Sequence, residues 1–197
     1  MKFRTKVSLG LVALALMTTG VLLTLMFYQA RASLMSQMRS TVLSVAGTTA
    51  AMIDVDRYQQ IQVRADEDSP AYRDIEIYLR RIRNANRRSD LRVKFIYVIQ
   101  KDPKNPTAVR YVVDGEEEGP DKSHFGESFK SIDAARLNFE AAEVQDAFVT
   151  DQWGTWMSAF APIRDRNGAS VGLVGADVSA DDALGRRYPG RFWCGRT

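Results

Sequence analysis

The sequence predicts an α+β domain, in which a long N-terminal helix and further helices flank an antiparallel sheet, preceded by one transmembrane helix. Three observations carry this prediction. Residues 7–28 contain no charged side chain, two helical periodicities follow them, and two pairs of alternating segments joined by turn-forming stretches come last. Two hairpins supply four antiparallel strands, and helices gathered against such a sheet form an α+β domain. A chain of 197 residues has room for one ordinary domain plus an anchor.

The segment Val7–Tyr28 is apolar and about as long as the roughly 20 residues that cross a bilayer as a helix. Lys2, Arg4 and Lys6 precede it, so the positive-inside rule places residues 1–6 in the cytoplasm and the rest of the chain outside. A cleaved signal peptide is the alternative, although its apolar core usually has only about 7–15 residues. We therefore predict a single-pass protein of the inner (cytoplasmic) membrane with a periplasmic or extracellular domain.

A second long helix is predicted over Ser33–Ile61, because apolar side chains recur there at helical spacings. The members of this stripe are Leu34, Met38, Val42, Val45, Met52 and Val55. Such a stripe either packs on its own domain or pairs with a second copy to form a homodimer. Both readings remain open at this point.

The next helix is predicted to begin at Pro70, with Ser69 as its N-cap. Its buried stripe is Tyr72, Ile75, Leu79 and Ile82. Glu76 and Arg80 are spaced to form an i,i+4 ion pair on its surface. The basic run Arg80–Arg88 has no interleaved aromatics, so we predict a solvated helix face and no nucleic-acid partner.

The first hairpin is predicted from the alternating segments Val93–Gln100 and Ala108–Asp114, which flank a Pro- and Asn-containing turn. Ser131–Phe148 is predicted to be a helix with Ile132, Ala135, Phe139 and Ala142 facing inward. A short fifth strand is predicted over Phe148–Thr150.

The closing hairpin is predicted from Thr155–Ile163 and Ala169–Val178, which flank the turn-forming pair Asn167-Gly168. Pro162 indicates an edge position or a bulge near the end of the first strand. Gly172 and Gly175 lack side chains, which predicts that another group approaches the backbone of the second strand closely.

This hairpin carries a resemblance to a known family. The residues concerned are Asp151-Gln152-Trp153-Gly154-Thr155-Trp156, Ser158, Ala161-Pro162-Ile163, Asp165, Gly168 and Gly175-Ala176-Asp177-Val178. Their order resembles the closing hairpin of Cache domains, the PAS-like extracytoplasmic sensor modules of bacterial receptors, cyclases and histidine kinases. The upstream run SPAY…YLRRIRNAN followed by VKFIYVI is similar to the same domains. The resemblance covers about Leu34 to Asp182, and it implies a PAS-like sensor domain over residues 33–182.

The resemblance also implies a small-molecule ligand, of unknown identity, between the sheet and the segment that joins its central strands. The matching positions are Tyr97, Tyr111, Asp114, Asp151, Trp153, Trp156 and Ser158. Aromatic walls with a few polar groups suit such a pocket, whereas the competing reading of Trp156 is ordinary core packing. Amine- and amino-acid-sensing members carry a Tyr-x-Asp before this hairpin, but Val149 stands in place of the Tyr. Asp177 is expected to fix the turn after the last strand.

Composition speaks against several classes of site. The chain has one histidine, His124, and one cysteine, Cys194, so a multi-His metal site and an internal disulfide are excluded. The acidic stretch Asp114–Asp121 lacks the EF-hand spacing, so we predict a solvated loop, no metal and no cofactor. No spacing supports a nucleophile with its base, so we predict that the chain is not an enzyme.

The last fifteen or so residues, 183–197, change character, with four arginines, a proline and the cysteine. We expect this tail to be disordered or aberrant, and the chain to be the sensing half of a receptor cut short before a second transmembrane helix and an output domain. The alternative is a stand-alone membrane-anchored binding, dimerisation or scaffold protein.

Overall fold

The computed structural model describes residues 3–87, 92–130, 136–146, 148–151 and 154–179. The α-helices are Phe3–Met52 (α1), Val55–Tyr58 (α2) and Pro70–Ala85 (α3), with a 3-10 turn at Arg64–Asp68. The strands are Val93–Asp102 (β1), Asn105–Asp114 (β2), Glu143–Val144 (β3), Val149–Asp151 (β4), Gly154–Arg164 (β5) and Ser170–Ser179 (β6). They form one antiparallel sheet of order β2-β1-β6-β5-β3, in which β4 also pairs with β5. The predicted α+β class is confirmed, while the expected tail 183–197 lies outside the described residues.

Helix α1 joins the two predicted N-terminal helices into one and ends at Met52, so the prediction that the second helix runs to Ile61 is wrong. Its N-terminal part is long and apolar enough to cross a membrane. The chain turns after Met52 because the Asp54 carboxylate caps the short helix α2, accepting from the N–H groups of Asp56 and Arg57. Within residues 39–52, α1 buries Val42, Ala46, Thr49 and Ala50, so one face of this part packs on its own domain, and Val42 is the one of these four that belongs to the predicted stripe.

Helix α3 follows the prediction: Ser69 caps it by accepting from the Tyr72 N–H, and Pro70 is its first residue. The expected solvated basic face is wrong at Arg83, whose side chain is only 1% exposed. Arg83 lies under the acidic segment after β2 and pairs with Glu116 and Glu117. The acidic segment is therefore anchored through buried Asp114 and half-buried Glu116, while residues 117–121 are exposed, as predicted for a solvated loop.

Both hairpins are confirmed. The β5–β6 turn closes with the Gly168 N–H donating to the Asp165 carbonyl at 3.0 Å. Gly168 has φ +83°, a conformation that costs glycine little. Beyond the turn, Ser158 lies opposite Asp177 and Phe160 opposite Gly175. On β5, the partners of β3 are Ala159 and Phe160, and Pro162 lies beyond them. A register shift follows Ile163. Both observations agree with the edge or bulge position predicted for Pro162.

The helix predicted over Ser131–Phe148 is wrong in its described part, because residues 136–146 form an irregular segment that leads into β3. The Asn138 side chain accepts from the backbone N–H groups of Glu140 and Ala141, which offers the chain a local turn in place of a helix. The strand β3 then takes its hydrogen bonds from β5. Phe139 is nevertheless buried, as the helical pattern required.

The predicted close approaches to β6 are made by two tyrosines. The Tyr58 hydroxyl lies against Gly172, and the Tyr97 ring lies against Gly175. A Cβ atom on Gly175 would stand 2.6 Å from the Tyr97 Cζ. Tyr97 is itself packed between Tyr111 and Phe129, with ring centroids 5.4 and 5.6 Å away, so it has little room to move. The glycine at this position thus sets where the Tyr97 ring lies.

Gly175→Ala should therefore lower the free energy of unfolding by about 1–3 kcal/mol, the usual cost of overpacking a buried site. The measurement is denaturant unfolding of the full chain in detergent. Gly47→Ala in α1 is the matched control, because a Cβ there meets nothing within 4 Å outside its own helix. That change should raise stability by about 0.5–1 kcal/mol. A Gly175→Ala protein as stable as the wild type would contradict the close approach of Tyr97.

Candidate functional site

A cavity of about 450 Å³ lies on one face of the sheet. Strands β1, β2, β5 and β6 form its floor, while residues 120–123 and 127–130, together with Gln145 and Val149, form its walls. Within the described part of the chain, its aromatic lining residues are Phe95, Tyr97, Tyr111, Phe129 and Trp156. Phe95 and Trp156 meet edge to face with centroids 5.3 Å apart, so the aromatic surface is continuous across the floor.

The register of the sheet assembles the floor in two rows. In the first row, Phe95, Asp177 and Ser158 lie side by side on β1, β6 and β5. In the second row, Gly175 lies between Tyr97 and Phe160. Because Gly175 has no side chain, the Tyr97 ring lies over β6, and its hydroxyl donates to the Asp177 carboxylate at 3.2 Å.

Asp177 and Tyr97 give the floor its polar character. Asp177 is 9% exposed and lies within β6, and the turn that it is expected to fix lies outside the described residues, so that expectation stays a prediction. Burial, and then the neighbouring Asp177 carboxylate, raise the pKa of Tyr97 well above its usual value. The tyrosine therefore stays a neutral hydrogen-bond donor beside a carboxylate.

Asp114, at the end of β2, organises the wall after that strand. One carboxylate oxygen accepts from the Glu116 N–H at 2.9 Å, and the other accepts from the Ser123 N–H at 2.8 Å. The intervening segment is thereby closed into a loop whose far end, Pro120–Ser123, lines the cavity. Burial raises the pKa of Asp114 to about 6, even though these two hydrogen bonds favour its ionised form.

Ion pairs hold the same wall against α3. The side chain of Lys122, only 5% exposed, pairs with Glu76 on α3 and with Glu118 in the loop. Burial disfavours its charge, but the hydrogen bonds to Glu118 and Glu76 outweigh that cost and raise its pKa. The ammonium charge of Lys122 is thus largely compensated by carboxylates outside the cavity.

The opposite wall is held by Gln145, which follows β3. Its N–H donates to the Ser158 carbonyl at 2.9 Å, and its side-chain oxygen accepts from the Ser158 N–H at 3.2 Å. Both residues line the cavity. Gln145 therefore extends the pairing of β3 with β5 by one residue, through its backbone N–H and its side-chain oxygen.

No family model and no curated protein matches the chain. Among solved structures, the sensor domain of Escherichia coli DcuS is similar with a TM-score of 0.56 and 18% sequence identity, over 78% of this chain and 96% of that one. This chain has the fold of a PAS-like sensor domain. The resemblance to Cache domains is confirmed at the level of the fold.

Two further structures are similar at lower scores. The ligand-binding domain of the Campylobacter jejuni chemoreceptor Tlp3, solved in complex with L-valine, has a TM-score of 0.48 and 13% identity, over 78% of this chain and 57% of that one. The periplasmic domain of RsbU from Chlamydia trachomatis has a TM-score of 0.35 and 14% identity, over 80% of this chain and 58% of that one.

Five of the seven predicted site residues line the cavity of this sensor fold: Tyr97, Tyr111, Asp114, Trp156 and Ser158. Trp153 lies outside the described residues, and so does the side chain of Asp151, so both assignments stay predictions. Ligand binding by the other five also stays a prediction. Trp156 was predicted either to line a pocket or to pack in the core. It is 8% exposed, packs on Phe95 and also lines the cavity, so the structure agrees with both predictions.

Sequence reasoning missed several lining residues, among them Phe95, Phe129, Gln145 and Asp177. A signal for two of them was present. Phe95 is two residues before Tyr97 on the same strand, so the two side chains lie on the same face of the sheet. In the closing hairpin, counting the same number of residues in both directions from the Asn167-Gly168 turn pairs Ser158 with Asp177. Gln145 had no such signal, because its position depends on β3 pairing with β5.

Proposed function

We propose that this chain is a membrane-anchored extracytoplasmic sensor that binds a small molecule in the sheet-face cavity. The observation that carries the proposal is the cavity itself. A volume of about 450 Å³ with an aromatic floor and a few convergent polar groups is typical of small-molecule sites. The PAS-like sensor fold supports the same reading.

The charges of the lining favour a ligand that carries a positive charge or none. Among the residues that the structure describes, four carboxylate residues line the cavity, Asp114, Asp121, Glu127 and Asp177, against the two lysines Lys122 and Lys130. Lys122 is already paired with Glu76 and Glu118. Aromatic faces stabilise a cation further, because the face of an aromatic ring carries partial negative charge.

A thermal-shift screen of the full chain in detergent tests the proposal. We expect stabilisation by one class of small metabolites, with amines or neutral molecules ahead of organic acids of the same size. Asp177→Asn should abolish that stabilisation, because it removes the floor carboxylate. Glu117→Gln, at a side chain 70% exposed outside the cavity, is the control and should leave it unchanged.

Three outcomes of the screen separate the candidate functions. A stabiliser that is lost in Asp177→Asn supports the sensor. Chemical turnover of a stabiliser would indicate an enzyme, and silence across a broad panel would favour the membrane-anchored scaffold. Trp153→Ala and Asp151→Ala test the two remaining predicted residues in the same assay, and variants that unfold without ligand would show them to be core.

The proposed topology is an uncleaved N-terminal anchor with the sensor domain outside the cytoplasm, supported by the apolar part of α1 behind Lys2, Arg4 and Lys6. A reporter that works only in the periplasm, fused after Asp182, should be active. An inactive reporter in a stable fusion would overturn the orientation, and a shortened N-terminus in the mature protein would indicate a signal peptide.

Self-association through Ser33–Ile61 is part of the proposal. Leu34 and Met52 are 60% and 64% exposed, so apolar side chains of the stripe remain available to a second copy. Crosslinking of a Leu34→Cys variant in a Cys194→Ser background should give a dimer in membranes. A monomer under the same conditions would favour self-packing alone.

A further inference from the structure

We propose that Arg39 of α1 is a positioning residue for the cavity. It ties this helix to the chain at Asp146 and thereby holds Gln145 against Ser158. The inference extends the proposed binding site, on which it rests, by linking the state of the cavity wall to the position of α1. Its test needs no ligand.

The first step is the contact between α1 and the segment after β3. The Arg39 guanidinium donates a hydrogen bond to the Asp146 backbone carbonyl. The Asp146 carboxylate stands 3.8 Å from the same guanidinium but is fully exposed, so its attraction is screened by water. The carbonyl, which belongs to the backbone next to Gln145, is therefore the important acceptor.

The second step is the contact between Gln145 and the floor. Gln145 exchanges two hydrogen bonds with the backbone of Ser158, one through its own N–H and one through its side chain. The strand β3 before it has only two residues, which pair with Ala159 and Phe160. Such a short strand is weakly held by itself, so a tether at Asp146 has a large share in fixing the wall.

The third step is the consequence for α1. A ligand that displaces Gln145 or Ser158 changes the backbone at Asp146, to which Arg39 is bound. By reciprocity, a change in α1 at Arg39 alters the wall to the same extent in free energy. Arg39 thus joins the cavity to the helix whose N-terminal part is the proposed membrane anchor.

Trp156 reports on the cavity, because it lines the floor two residues from Ser158 on β5. The probe is the full chain in detergent with Trp153→Phe and Trp193→Phe, which leaves Trp156 as the sole tryptophan. Arg39→Ala should raise the acrylamide quenching constant of Trp156, which is 8% exposed, because release of the wall lets the quencher reach the floor. The far-UV circular dichroism should stay native.

Two variants serve as matched controls. Arg31→Ala removes an exposed arginine from the same helix, and Asp146→Asn keeps the carbonyl acceptor while removing the carboxylate. In both variants the acrylamide quenching constant of Trp156 should equal that of the parent. Arg39→Lys keeps a cation with a single donor group and should fall between the parent and Arg39→Ala.

The opposite direction is measured by hydrogen exchange. Gln145→Ala should accelerate exchange of the α1 amides around Arg39, whereas Glu117→Gln should not. This measurement and Arg39→Lys also decide the matter if Arg39→Ala fails to fold. Each of three results would overturn the proposal. The first is a folded Arg39→Ala protein in which Trp156 is quenched as in the parent, and the second is an Arg31→Ala protein in which quenching rises as much as in Arg39→Ala. The third is a Gln145→Ala protein in which the α1 amides exchange at the parent rate. None of these readouts depends on whether a ligand is found for the cavity.

Discussion

Arg83→Ala should lower the free energy of unfolding by about 3–5 kcal/mol, the cost of removing one partner from a buried ion pair. The Arg83 side chain is 1% exposed, and its partner Glu116 is 16% exposed. Without the guanidinium, the Glu116 carboxylate stays in a poorly hydrated place with no opposite charge. Denaturant unfolding of the full chain in detergent, followed by near-UV circular dichroism, measures the loss.

Two variants separate the buried pair from ordinary surface charge. Glu117→Gln removes the second partner of Arg83, which is 70% exposed and 3.4 Å away, and should cost no more than about 1 kcal/mol. The double variant Arg83→Met with Glu116→Leu should come within about 1 kcal/mol of the wild type, because Glu117, the charge that loses its partner, is exposed to water. An Arg83→Ala protein of wild-type stability would mean that water reaches Glu116 freely.

The parts of the fold that followed from the sequence are those specified by neighbouring residues. Asn167-Gly168 sets the β5–β6 turn, and alternation then decides which side chains share a face. Ser69 and Pro70 likewise define the start of α3 through local hydrogen bonding. Each of these signals depends on residues that are close in sequence, so it can be recognised without knowledge of the tertiary structure.

The failures occurred where distant contacts decide. Helical periodicity between Ser131 and Phe148 was overridden by the Asn138 turn and by the pairing of β3 with β5. Arg83 was expected in water because the partner that buries it lies more than thirty residues later in the chain. A pattern on one helix carries no information about such a partner.

The candidate site was predicted in part for the same reason. Tyr97 and Trp156 were identified because they match the ligand-binding positions that the resemblance to Cache domains implies. The depth of the cavity depends on Gly175 and on the loop that Asp114 closes, and these contacts join β1 to β6 and β2 to its following segment. The β5–β6 turn places Asp177 opposite Ser158, and the pairing of β6 with β1 adds Phe95 on its other side.

Asp114 should make the stability of the domain depend on pH between about 4 and 6. Burial raises its folded pKa to about 6 from an ordinary value of 3.8. The Glu116 carboxylate raises it further, while Lys122 and the N–H groups of Ser123 and Glu116 act in the opposite direction. In this pH range the folded chain holds a proton that the unfolded chain has released, so stability falls as the pH rises.

Comparison with Asp114→Asn isolates this contribution. The difference in unfolding free energy, wild type minus Asp114→Asn, should fall by about 2 kcal/mol between pH 4 and pH 7, since each pKa unit corresponds to roughly 1.4 kcal/mol and the unfolded carboxyl is already partly ionised at pH 4. The other carboxylates titrate in both proteins and cancel in the difference. Denaturant unfolding at half-unit pH steps measures it. A difference that is constant with pH would show that the two backbone hydrogen bonds offset the burial of Asp114, and a difference that rises with pH would show that they outweigh it.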